Sequence, residues 1–106
     1  MTSRTPESRR ERATAAAAQL AEIVHGEGRE HAFSYLTLTD IRDILADPES
    51  EAETALTAAT QRFDELCKTR NFSEFYVYIA DWEQRVAANK RFKELVNELR
   101  STLHDS

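Results

Sequence analysis

"NFSEFYVYIADWEQRV", residues 71–86, holds five of the nine aromatic side chains in this 106-residue chain: Phe72, Phe75, Tyr76, Tyr78 and Trp82. How it is read decides the architecture of the C-terminal half. Taken alone, "FYVYI" favours sheet, because Phe, Tyr, Val and Ile are all enriched in strands. Taken with its flanks, the stretch favours helix. Asn71 and Glu74 stand at capping-box spacing, although Asn lies outside the strict Ser/Thr form. "WEQRVAANKRFKELVNELRSTL" comes next, with helix-forming composition and no turn signal in between. These two cues predict one long helix over 72–103.

On such a helix each residue advances about 100°. Phe75, Ile79, Trp82 and Val86 then form one apolar stripe. Phe92, Val96, Leu99 and Leu103 form a second, rotated by about a quarter turn. The switch falls over 87–91. Either the helix bends there or its halves serve different neighbours. Asn89, a poor residue for a helix interior, is a candidate cap for a new helix. Phe75, Ile79 and Trp82 would face inward, while Tyr76, Val77 and, at the margin, Tyr78 would point elsewhere. Large apolar residues are mostly buried, so core packing is the plain explanation of the cluster. The sharper one makes Tyr76, Val77 and Tyr78 a contact patch for a protein partner or a second copy, since Tyr joins contact area to a polar tip.

Working toward the N-terminus, Ser50 with Glu53, or Asp47 with Pro48, starts a helix running to about residue 69. Its stripe is Ala52, Ala55, Leu56, Ala59, Phe63, Leu66 and Cys67. Before it, Thr37 and Asp40 make a capping-box pair, and Leu36 and Ile41 occupy the staple positions. A short helix over 38–46 should bury Ile41, Ile44 and Leu45 and stop before Pro48. "REHAFSYL", residues 29–36, fits either a short helical turn or an extended connector, with Phe33, Tyr35 and Leu36 tucked inward. Thr5 as N-cap and Pro6 at the first position open a helix over 6–25, which Gly26 and Gly28 end. Its apolar face is Ala13, Ala16, Ala17, Leu20, Ile23 and Val24.

The expected fold is therefore all-α: a compact bundle of about four helices, the third and fourth the longest. One domain spans 6–103, between a flexible N-terminus (1–5) and a tail (104–106). Two Gly and two Pro suit few turns and long helices. Of the 41% hydrophobic residues, fifteen are Ala, so bulk for a core is limited. No apolar run reaches membrane-span length and no signal-like segment is present. Cys67 stands alone, which suits a reducing, cytoplasmic setting.

The net charge is −5, concentrated in residues 15–66, where three Arg meet eleven acids. Asp40, Asp43, Asp47, Glu49, Glu51 and Glu53 form an acidic face that would suit a partner with a basic surface. The opposite class, a DNA- or RNA-binding regulator, would use Arg9, Arg10 and Arg12 of the first helix, or else Arg85, Lys90, Arg91 and Lys93 of the last. Helices 38–46 and 49–69 have a helix-turn-helix outline, but acids occupy the end that would read bases. An ordinary helical hairpin explains them better.

Enzymatic signatures are missing. Glu22-x-x-His25 has the spacing of half a carboxylate di-metal site, yet His31 and His104 are preceded at that spacing by Gly28 and Ser101. No phosphate loop, nucleophile elbow or zinc spacing occurs. Neither a cofactor nor a metal is expected. The sequence thus favours a non-enzymatic protein-interaction module: an adaptor, inhibitor or small subunit.

Overall fold

The computed structural model describes residues 5–104. Five α-helices succeed one another: α1 (Pro6–His25), α2 (Ala32–Ala46), α3 (Ala52–Cys67), α4 (Arg70–Ser73) and α5 (Trp82–Leu103). A single 3₁₀ turn, Arg29–His31, leads into α2. No strand occurs among the described residues. The all-α bundle with four long helices is as expected.

α1 forms where the sequence places it. Thr5 Oγ1 accepts a hydrogen bond from Ser8 N–H at 3.2 Å, and Pro6 opens the first turn. Ala13, Ala16, Ala17, Leu20, Ala21 and Val24 are buried along one face. Four of these six are Ala, so neighbouring backbones can approach closely. α1 packs on α2 and α5, with α3 completing the bundle. The principal extents, 42 × 31 × 21 Å, make the molecule a slab. Its thin dimension holds two helix layers, given a helix diameter of about 10–12 Å with side chains. One core runs through it, with Leu20, Leu38, Ile41, Leu45, Phe63, Leu66, Leu95 and Leu99 essentially inaccessible.

α2 starts earlier than the capping box predicts. It begins at Ala32, so Thr37 lies inside the helix and its hydroxyl donates back to Phe33 O at 2.9 Å. Such i−4 bonding satisfies the hydroxyl that was expected to cap. The earlier start turns Phe33 and Leu36 outward. Both are exposed, contrary to the expected inward packing, and Tyr35 is half-buried, its ring tilted at 48° to that of His25 with centroids 4.7 Å apart.

α3 starts later, at Ala52, and is shorter than α1 and α5. Asp47 caps a turn instead of a helix: its carboxylate accepts from Glu49 N–H at 2.9 Å and from the Ser50 hydroxyl at 3.0 Å. This turn consumes the residues that would have lengthened α3.

The largest correction concerns 72–103, which is not one helix. Thr69 caps the single turn α4 by accepting from Phe72 N–H. The chain then leaves regular secondary structure over 75–79, its side chains alternating between core and solvent as in an extended chain, and re-enters helix at Trp82. Asp81 caps α5, accepting from Gln84 N–H at 3.3 Å. The break lies before Trp82, and α5 passes through 87–91 as helix. Asn89 caps no helix.

Of the expected N-terminal flexible residues, only Thr5 is described; 1–4 lie outside the described residues, as do 105–106 of the tail. His104 is bound in place, its Nε2 2.9 Å from Asp64 Oδ1.

Candidate functional site

The extended segment carries the aromatic cluster, and its period of two sorts the side chains. Phe75 (8% exposed) and Val77 (5%) point into the core; Tyr76 (43%) and Tyr78 (75%) point to solvent. Val77 therefore leaves the expected contact patch, whereas Tyr76 and Tyr78 stay in it. Their rings meet edge-on with centroids 5.0 Å apart.

Side chains replace the missing partner strand. Val77 N–H donates to Asn89 Oδ1 at 2.8 Å, and Asn89 Nδ2 donates to Val77 O at 2.9 Å. Asn89 Nδ2 also reaches Arg85 O at 2.9 Å, fixing the amide to its own helix. Tyr78 N–H donates to Glu27 Oε1 at 3.0 Å, linking the segment to the chain just after α1. At the other end, Asn71 Nδ2 donates to Glu30 O at 2.9 Å, and the buried Ser34 hydroxyl donates to Asn71 Oδ1. Phe75 seals the inner side against Phe92, centroid to centroid 4.6 Å, and against the edge of His31 at 4.8 Å.

These ties shape an open groove of about 650 Å³. Tyr76 and Tyr78 form one side. Glu27, Glu30 and Glu74 supply three carboxylates, against the single guanidinium of Arg70 among the described residues of the lining. Arg70 leans on Glu74 at 3.7 Å, both side chains largely exposed, so solvent screens the pair. His31 Nδ1 is buried there without a hydrogen-bond partner among the described residues. Two exposed tyrosines above a surplus of carboxylate form a surface that attracts cations, through ring faces and through charge. Glu27, Glu30 and Glu74 were not among the expected site residues. Glu74 lies two residues before Tyr76, but no local motif joins Glu27 and Glu30 to the tyrosines, because Glu27 and Tyr78 lie 51 positions apart.

Asp40, Asp43 and Asp47 of the expected acidic face line one open pocket together with Arg62, and several of its members are engaged within the fold. Asp40 binds Arg62 at 2.8 Å and Asp43 binds Arg42 at 3.0 Å. Asp47 holds the turn before α3. Glu51 is the N-cap residue of α3 and Glu53 lies in its first turn, where the helix dipole favours a negative charge. Glu49 is exposed beside them.

The arginines expected to serve a nucleic-acid site are largely engaged within the fold. Arg9 donates to Thr102 O at 3.1 Å and Leu103 O at 3.0 Å, closing the C-terminal end of α5. Arg10 donates to Ser50 O at 2.8 Å and pairs with Glu7 at 3.3 Å. Of the three only Arg12 lies fully on the surface. Among the described residues no three His, Cys, Asp or Glu side chains gather as metal ligands would, and no helix is long and apolar enough to cross a membrane. No protein-family model matches this chain, and no curated protein or solved structure matches it either.

Proposed function

We propose that this chain is a non-enzymatic interaction module, an adaptor, inhibitor or small subunit, that receives a basic segment of a partner protein in the Tyr76–Tyr78 groove. The observation that carries the reading is the exposed tyrosine pair lining one groove with Glu27, Glu30 and Glu74. A Lys or Arg side chain laid on a tyrosine face gains about 0.5–1 kcal/mol at an exposed site, and nearby carboxylates add charge complementarity that speeds and orients encounter. The acidic residues of 40–53 take a steering part in this reading, since no exposed aromatic pair accompanies them as Tyr76 and Tyr78 accompany Glu27, Glu30 and Glu74. The engagement of Arg9 and Arg10 by backbone carbonyls weighs against the nucleic-acid alternative. A reducing, cytoplasmic setting belongs to the reading, supported by the free thiol of Cys67.

A titration of the labelled protein with an Arg/Lys-rich peptide tests it. Saturable amide shifts at Tyr76, Tyr78, Glu30 and Glu74, abolished by Tyr76→Ser with Tyr78→Ser, are expected. Shifts confined to 49–53, or none at low salt, would overturn it.

Self-association is a second reading, supported by Trp82 (65% exposed) and Val86 (46%). They stand four residues apart, on one face of the first turns of α5. Light scattering over a concentration series decides: a dimer that Trp82→Ala dissociates favours this reading, and a monomer throughout ends it.

A further inference from the structure

We propose that a second groove, bordered by α4, the extended segment and the middle of α5, binds a small amphiphilic carboxylate: an apolar chain or ring ending in one carboxylate. The groove measures about 390 Å³, within the usual small-molecule range of about 300–1,000 Å³. Its apolar side is built from Phe72, Phe75 and Phe92, with Phe92 5.7 Å from Phe72 and 4.6 Å from Phe75 between ring centroids. Lys93 and Arg100 stand on its rim, two helical turns apart on α5, and no carboxylate among the described residues contributes to the lining. Two cations without an acid form a local exception in a chain of net charge −5.

Arg100 has no acidic partner among the described residues. Its guanidinium donates weakly to Asn97 Oδ1 at 3.4 Å and to Cys67 Sγ at 3.5 Å, and lies 5.9 Å from the Phe63 ring centroid. Lys93 forms no ion pair among the described residues either. A carboxylate would give Arg100 the bidentate partner that its planar fork suits. The rest of the ligand should be apolar, because three Phe rings line the groove and its amides and serine hydroxyl bond within the fold: Ser73 to Arg70 O, Asn89 to Val77 and Arg85, and Asn97 to Arg100. This excludes a peptide backbone more readily than an alkyl chain. Tyr76 borders both grooves, so the two sites share a wall while selecting opposite charges.

Decanoate is a suitable probe, with decylammonium as its charge-reversed control. On the intact chain, decanoate should shift the amide resonances of Phe72, Phe92 and Val96 saturably and slow alkylation of Cys67 by iodoacetamide. Arg100→Gln should weaken binding about tenfold, as loss of one charge-assisted pair implies. Lys93→Gln, an exposed change that leaves the rings untouched, should weaken it too and decides the matter if Arg100→Gln does not fold. Decylammonium binding as well as decanoate, an unsaturable scatter of shifts, or unchanged affinity in a folded Arg100→Gln or, where that variant does not fold, in Lys93→Gln, would overturn the proposal.

Discussion

The carboxamide of Asn89 pairs with both backbone groups of Val77, at 2.8 and 2.9 Å, as a neighbouring strand would. One side chain on α5 thereby holds the extended segment that displays Tyr76 and Tyr78. Replacing Asn89 by Ala would leave an inward-facing N–H and C=O unpaired. Each such group costs about 1–3 kcal/mol. Denaturant unfolding should show a loss of about 2–4 kcal/mol on that basis, and hydrogen exchange at the Val77 amide should speed up more than exchange in α1. Equal acceleration everywhere would mean that Asn89 supports the whole bundle and not this segment.

The two glycines after α1 should respond in opposite directions. Gly26 sits at φ −66° in the ordinary helical region, and an added Cβ would meet only normal contacts, the nearest at 3.5 Å. Gly26→Ala should stabilise by about 0.4–1 kcal/mol, mainly by restricting the unfolded chain. Gly28 has φ 111°, and an added Cβ would meet only the Glu30 carboxylate, at 4.0 Å. Gly28→Ala should destabilise by about 1–3 kcal/mol from backbone strain alone. Thermal melts of the two variants, measured side by side, check both signs.

Thr102 is buried, and its hydroxyl finds no partner among the described residues. Val has nearly the same shape without the polar group. Thr102→Val should therefore be neutral or raise stability by up to about 1 kcal/mol. A clear loss in urea titration would show that the hydroxyl is bonded in solution.

Arg9 joins the start of α1 to the end of α5 through the Thr102 and Leu103 carbonyls. Hydrogen bonds to a charged group are worth about 1.5–3 kcal/mol. Arg9→Met keeps the aliphatic stem and removes the donors. The expected result is a loss of that order, with faster exchange in the last turn of α5. Arg12→Met, on the surface, should stay within about 0.5 kcal/mol of the parent.

Tyr76→Ser combined with Tyr78→Ser should leave the fold standing, because both rings already face solvent and Phe75 and Val77 hold the inner side. Unchanged helical circular dichroism with loss of basic-peptide binding is the expected pairing. A collapse of the helical signal would instead assign the tyrosines to the core.

Local signals along the chain suffice for the elements that need nothing distant. Thr5, Pro6 and the Ala/Leu spacing define α1 because cap, first turn and buried face lie within one short window. The stripe Ala55, Leu56, Ala59, Phe63 and Leu66 similarly defines the buried face of α3. The signals for the later break were also present, in Thr69 before α4 and in Asp81 with Gln84 at capping-box spacing. They lost to Asn71 with Glu74, a competing pair of the same kind, and to the strong helical character of residues 82–103.

Local caps bound the segment, but packing decides the conformation of "FYVYI" between them. Its residues suit a strand or a buried helix face equally well, so local preference leaves the two close in energy. The groups that tip the balance lie elsewhere: Asn89, twelve residues on, satisfies Val77, and Glu27, 51 residues back, satisfies Tyr78. Those bonds exist only once α1 and α5 have packed together. The same packing turns Val77 inward, leaves Tyr76 and Tyr78 outside, and brings Glu27 and Glu30 into the groove that they line with Glu74. A period of two or 3.6 can be proposed from residues in a row, but the partners that fix it come from distant parts of the chain.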